Sequence, residues 1–160
     1  RANRIIQEQS TAAIFCFGAG NLDGFLSRRS ITGPFDRTNV VHFGHQPTEV
    51  LASFHNVSRL SVLPSRTEGF GIAALEAMGC GIPVVANRTG GLSEFVVGRL
   101  VDTGDIEELA HSVLEILSLS PDSYETLCRE AREKASEYTW SRSIDRRLRF
   151  YHTMPRINGG

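Results

Sequence analysis

The chain has 160 residues, 41% hydrophobic and 22% charged, and its 17 basic and 18 acidic side chains leave a net charge of −1. That length holds one domain with a real core but not two full-sized ones, and the composition excludes intrinsic disorder and collagen-like or low-complexity architectures. Near-neutral charge argues against a nucleic-acid binder working through bulk electrostatics, and no apolar run reaches the roughly 20 residues needed to span a bilayer.

Short apolar runs alternate with helical patterns along the chain. Ala12–Phe17 reads as a buried strand stopped by Gly18-Ala19-Gly20, and Asn39–Phe43 as a second strand ended by Gly44. Pro47–Phe54 follows as a helix, with proline suited to its first turn. Leu60–Leu63 is a third strand stopped by Pro64, Phe70–Gly79 a helix, and Ile82–Ala86 a strand with Pro83 near its start. Arg99–Val101 is a short last strand. Three helices close the chain, over Asp105–Leu117, Pro121–Tyr138 and Trp140–Tyr151. Continuous apolar strands separated by helices predict a parallel sheet covered on both faces. The expected fold is therefore α/β: one doubly wound, Rossmann-like domain with a helical C-terminal tail. Ligands in such sheets bind beyond the carboxyl ends of the strands, which singles out loops 18–21, 44–47, 64–71 and 87–94.

Cys16, Cys80 and Cys128 form no metal-binding spacing and suit a reducing compartment. The five histidines, at 42, 45, 55, 111 and 152, show no metal-like spacing either and read as packing or surface residues. Gly18-Ala19-Gly20-Asn21-Leu22-Asp23 approaches a dinucleotide fingerprint, but Asp23 stands where a third glycine is needed, and no Gly-Lys-Ser/Thr triplet supplies a P-loop.

Loop 64–71 carries more information. Gly69 and Gly71 flank Phe70 at the start of a helix, so open backbone N–H groups there make an anion site suited to phosphate. A plain tight turn needs the same glycines. The helix that follows is apolar or glycine at every position except Glu76. It reads as buried all round, which makes an ionised carboxylate costly unless it has a partner or a ligand. Taken along a helix, Glu68 and Glu76 stand about 12 Å apart, too far to flank one glycosidic bond. They suit gripping two ends of an elongated ligand with its diphosphate between them.

These residues also carry a resemblance. The segments Pro64-Ser65-Arg66-Thr67-Glu68-Gly69-Phe70-Gly71-Ile72, Leu75-Glu76-Ala77-Met78, Gly81-Ile82-Pro83-Val84-Val85-Ala86 and Gly90-Gly91-Leu92-Ser93-Glu94 resemble the group 1 retaining glycosyltransferases, which are GT-B enzymes. The match is to their nucleotide-sugar-binding C-terminal domain. It extends through Phe17-Gly18-Ala19-Gly20 and Val40-Val41-His42-Phe43-Gly44 to Tyr138-Thr139-Trp140-Ser141, which is similar to the family's closing helix.

The resemblance implies that Glu68 contacts the donor sugar as the catalytic carboxylate and that Glu76 holds the ribose diol. It implies further that Gly69 belongs to the donor site, that the amides of Phe70, Gly71 and Ile72 meet the diphosphate, that main-chain groups near Gln46 read the base, and that Arg66 and the Gly90-Gly91 turn line the cleft. No cofactor and no metal are expected; the donor substrate is a nucleoside-diphosphate sugar, and the helix dipole with basic side chains stabilises the leaving diphosphate. The family's first strand, its Arg/Lys pair and its N-terminal acceptor domain would all precede Arg1. The expectation is thus a single donor-binding domain over 1–160 that lacks its first strand, belongs to a hexosyltransferase, and is inactive by itself. An inner gap in the sheet would follow, closed by another segment or by a strand-sharing dimer.

The alternative function is a catalytically inactive nucleotide-sugar-binding or interaction module of a larger protein. Expected partners are the nucleotide sugar and the N-terminal domain of the parent chain, with no nucleic acid. The tail sets Arg142, Arg146 and Arg149 at helical spacing near Trp140, a stripe that fits a solvated face, a partner domain or an anionic membrane. The expected location is cytoplasmic, with peripheral membrane contact as an option.

Overall fold

The computed structural model describes residues 2–18 and 40–153. The Ala19–Asp23 part of the fingerprint, the Asn39 end of the second strand and Arg1 lie outside the described residues. In chain order the elements are α1 (Ala2–Gln9), β1 (Ile14–Cys16), β2 (Val40–His42), α2 (Thr48–Val57), β3 (Ser61–Leu63), α3 (Ile72–Gly79), β4 (Val84–Asn87), α4 (Leu92–Phe95), β5 (Gly98–Val101), α5 (Ile106–Leu117), α6 (Pro121–Ser136) and α7 (Trp140–Thr153).

All strand pairs are parallel. β1 pairs with β2 in register Ile14↔Val40 to Cys16↔His42, and β4 lies between β3 and β5 with Val84 opposite both Ser61 and Gly98. β4 is buried along its whole length, as a continuous apolar run at a sheet centre must be. It begins at Val84 and not at Ile82 because Pro83 has no N–H to give a ladder, although its carbonyl accepts from Ser61 N–H at 3.0 Å.

Side chains alternate across β4, and each face has its own helices. Val84 and Ala86 pack with Ala74, Ala77 and Met78 of α3, Leu92 and Phe95 of α4 and Ala131 of α6. Val85 faces the other way, with Val101, with Ala110, Val113 and Ile116 of α5, and with Ile6 of α1. The two-residue period of a strand thus yields the doubly wound arrangement that the apolar runs predict. α1 is an addition to the sequence reading. Its apolar residues Ala2, Ile5 and Ile6 have helical spacing, but eight residues make little helix without α5 to pack against.

The strands form two sheets, β1–β2 and β3–β4–β5, and among the described residues no ladder joins them. Strand centres Phe15, Val41 and Val62 remain exposed. Four phenylalanines, Phe15, Phe17, Phe43 and Phe54, tie α2 to the β1–β2 pair, with Phe43 and Phe54 ring centres 4.7 Å apart.

The helix starts follow their caps. Asp105 accepts from Glu108 N–H at 2.8 Å before α5, and Ser120 caps α6 ahead of Pro121. α2 starts one residue later than expected, with Pro47 in extended conformation as its cap. Arg99 of β5 holds Glu115 of α5 in a two-pronged ion pair, Nε donating to Oε2 at 2.9 Å and Nη2 to Oε1. The hydrogen bond from Arg99 keeps the Glu115 carboxyl below its ordinary range. A depressed carboxyl stabilises the fold above its unfolded pKa and loses that contribution as pH falls through the folded value. The pair is about half exposed, so Glu115→Gln should cost at most about 1 kcal/mol at neutral pH. Urea unfolding should show that deficit shrinking as pH falls through the folded carboxyl's titration; a deficit that persists once the carboxyl is protonated would assign it to packing.

Candidate functional site

Because β3 and β4 are parallel neighbours, the segments leaving them emerge side by side at one sheet edge. Hydrogen bonds lace these segments together. Asn87 Nδ2 donates to Ser65 O at 3.2 Å, Thr89 Oγ1 to Arg66 O at 3.4 Å, and Gly91 N–H to Gly69 O at 3.1 Å. Two glycines make the approach feasible. Gly90 has φ +52°, and a Cβ there would overlap the Glu68 carbonyl oxygen. Gly71 has φ +98°, and a Cβ there would overlap Leu92. The structure therefore brings Arg66, Glu68, Gly69, Phe70, Gly71 and Ile72 together with Gly90 and Gly91.

Gly71 is the cap of α3, so the helix begins at Ile72 and not at Phe70. Ala74 and Leu75 N–H both return to Gly71 O, at 3.0 and 3.3 Å, while among the described residues nothing accepts from the amides of Phe70, Gly71 and Ile72. Unused N–H groups and the positive end of the helix dipole coincide there. The Phe70 ring is anchored below, its centre 5.1 Å from that of Phe95 and 5.8 Å from that of Tyr138.

Two expectations about the glutamates need correction. Glu68 lies in the loop four residues before the first residue of α3, so the 12 Å helical rise does not separate it from Glu76. Nor is α3 buried all round. Ala74, Ala77 and Met78 face the core, but Ile72 is 60% exposed, and Ala73 and Gly79 are exposed too. Glu76 follows Ile72 by one turn on this open side and is half-buried. Among the described residues neither the Glu68 nor the Glu76 carboxylate accepts a hydrogen bond.

Arg66 is exposed and has no acidic partner among the described residues, whereas nearby Arg88 is turned to Asp102 at 3.6 Å. Gln46 is not brought into this cluster by any described contact. Its Nε2 donates to Phe43 O at 2.7 Å, within its own loop after β2. No group of three His, Cys, Asp or Glu side chains able to hold a metal occurs among the described residues. The three thiols are free and half-buried, and burial pushes the Cys16 thiol above its ordinary pKa.

Sequence reasoning misses two contributors. Asn87 is a buried polar residue at the end of an apolar strand, a visible signal that the carboxyl end of β4 meets other backbone. His55, half-buried on the last turn of α2, meets the field of Glu76 across the α2–α3 interface. Burial lowers the His55 pKa from its ordinary 6.5, and the Glu76 charge opposes that shift. No sequence pattern links the two residues, which belong to different helices.

Residues 34–139 match the protein family described as glycosyl transferases, group 1. The chain is 39% identical over 105 residues to D-inositol 3-phosphate glycosyltransferase of Saccharomonospora viridis, covering 63% of this chain and 24% of that protein. It is 33% identical over 135 residues to GDP-mannose-dependent alpha-(1-6)-phosphatidylinositol dimannoside mannosyltransferase of Mycobacterium tuberculosis, covering 82% of this chain and 33% of that one. The chain thus spans about a quarter to a third of the length of these curated relatives. Among solved structures, sucrose-phosphate synthase from Thermosynechococcus elongatus aligns with 94% of this chain and 40% of its own, with a TM-score of 0.75 and 25% identity. WaaG, a glycosyltransferase involved in lipopolysaccharide biosynthesis, shares the fold, with a TM-score of 0.70 at 19% identity over 96% of this chain and 42% of that one. A match over most of the chain, with the Gly-Phe-Gly block in the tied loop between β3 and α3, makes this chain a member of the group 1 glycosyl transferase family, with the α/β fold of GT-B glycosyltransferases.

Proposed function

We propose that the chain is the donor-binding part of a retaining hexosyltransferase that uses a nucleoside-diphosphate sugar. The observation that carries this reading is the tied loop end. Three amides at the start of α3 have no described acceptor, with Glu68 before them, Glu76 one turn beyond, and Arg66 in the same loop, without an acidic partner among the described residues. In this reading the diphosphate sits on the amides of Phe70, Gly71 and Ile72, where dipole and N–H groups act together. Glu68 meets the sugar hydroxyls, Glu76 accepts from the ribose diol, and Gly69 and the Gly90-Gly91 turn bound the cleft. In this reading main-chain groups near Gln46, in the loop after β2, read the base. Charge developing on the leaving diphosphate is stabilised by prepositioned donors and Arg66, without a metal or cofactor.

In this reading the acceptor side belongs to an N-terminal domain of the parent chain, and the residues of this chain bind the donor. The open edges of β1 and β3 are suited to a further parallel strand, from that parent or from a second copy. Free thiols suit a reducing, cytoplasmic setting. No helix among the described residues is long and apolar enough to cross a membrane. Every residue of α7 is exposed, Trp140 by 80%, which leaves its arginines free for a partner domain or an anionic bilayer.

Calorimetric titration with UDP, GDP and ADP tests the reading. One of them should bind, and Glu76→Gln should weaken it by about 1–3 kcal/mol, the size of a lost hydrogen bond to a charged group. Failure of all three at millimolar concentration would remove the reading's main support. Unchanged affinity with lower folding stability in Glu76→Gln would make that residue structural.

A further inference from the structure

We propose that Asn87 and Thr89 are positioning residues: from the end of β4 they fix the place of the backbone that carries Glu68 and the amides of Phe70, Gly71 and Ile72. The inference rests on the assignment of that loop to the nucleotide sugar and adds what holds the loop in place. The β3–β4 register stops at Leu63 opposite Ala86. Beyond it the two segments are joined from positions 87, 89 and 91 in turn. Asn87 Nδ2 donates to Ser65 O at 3.2 Å, Thr89 Oγ1 to Arg66 O at 3.4 Å, and Gly91 N–H to Gly69 O at 3.1 Å. Two side chains and one amide thus continue across the loop what the strand ladder begins.

Asn87 is 6% exposed, at the end of a strand otherwise made of Val84, Val85 and Ala86. Burying a carboxamide costs free energy unless it is bonded, so the strand's own packing would favour another apolar residue there. The bond to Ser65 supplies the reason for the asparagine. Ser65 O can only accept, so the carboxamide must turn its nitrogen to it, which fixes the orientation of the side chain. Ser65 stands three residues before Glu68 and five before Phe70, in a segment with no regular element of its own from Pro64 to Gly71. Such a segment has no ladder or helix to place it, and Gly69 and Gly71 add conformational freedom. Its geometry therefore depends on what grips its carbonyls. Asn87 dominates because it is buried, whereas Thr89 is half-buried and its bond is longer. Both act through the loop, and neither is required to touch the ligand.

Two neutral substitutions of similar volume test the proposal, Asn87→Leu and Thr89→Val, each removing one hydrogen-bonding group without adding charge. In calorimetry with whichever of UDP, GDP or ADP binds, affinity should fall about tenfold in Asn87→Leu and about threefold in Thr89→Val, the range of one lost hydrogen bond. Amide hydrogen exchange without nucleotide supplies a reading that a general loss of stability would not give. The Gly91 N–H, bonded to Gly69 O across the same junction, should lose protection in both variants. The Arg88 N–H, bonded to Val101 O at 2.7 Å on the β5 side of the strand, should keep its protection. Should Asn87→Leu fail to fold, Thr89→Val decides by the same two readings. Wild-type affinity in the folded variants, or equal loss of protection at Gly91 and Arg88, overturns the proposal and leaves the donor site standing. Absence of binding of all three nucleotides to the wild type sinks the donor-site reading, and this proposal with it.

Discussion

Phe95→Ala is expected to cost about 3–5 kcal/mol of folding stability, the usual loss when a large aromatic leaves a core that cannot collapse. Phe95 ends α4 and is 2% exposed. Its ring meets Phe70 at 5.1 Å and Tyr138 at 5.3 Å, within the cluster formed by Ala74, Ala77, Met78, Ile82 and Val84. Those neighbours belong to α3, β4 and the segments before α3, before β4 and after α6, each pinned by its own hydrogen bonds, so the vacated volume stays largely open. The loss is a large share of the 5–15 kcal/mol that holds a typical domain. Urea unfolding by circular dichroism should show a lower midpoint at unchanged slope. A change below about 1 kcal/mol would mean that α4 is not part of the cooperative core. Because Phe70 rests on Phe95, the variant should also bind nucleotide less well at temperatures where it remains folded.

Gly90→Ala is expected to weaken nucleotide binding by at least about tenfold, with a smaller effect on global stability. Two costs combine at this position. An alanine at φ +52° is in the left-handed region, which costs roughly 1–2 kcal/mol. Its Cβ would overlap the backbone oxygen of Glu68, which cannot rotate away as a side chain can. Relief must come from separating residues 88–91 from residues 66–70, stretching the Thr89 to Arg66 and Gly91 to Gly69 hydrogen bonds. The β4 ladder lies upstream of this turn and is spared. Calorimetry beside thermal unfolding distinguishes the outcomes: wild-type affinity in Gly90→Ala would show that the turn is not part of the donor site.

Much of the β3–α3–β4 unit is legible in the chain because its signals are local. Pro64 ends a strand, Gly69 and Gly71 mark the approach to a helix whose start is read two residues early, and the run Val84–Ala86 is apolar throughout. The misreadings occur where a residue's environment is made by distant chain. The apolar outer face of α3 looks like core in one dimension, since composition alone cannot tell a buried helix face from an exposed one. α1 escapes notice because its stability comes from α5, more than a hundred residues away in sequence.

By itself the sequence determines the order and type of the central elements, the parallel class of the sheet, and the Glu68 to Glu76 block that marks the family. Strand period, helix caps and glycine conformations are properties of neighbouring residues, so they can be read without coordinates. Only the tertiary structure decides that the strands form two sheets, that Gly90 closes on the Glu68 carbonyl, and that Asn87 ties the end of β4 to Ser65. These are contacts between segments far apart in the chain, and they exist only once burial of β4 between its two layers of helices has brought the loops to one edge.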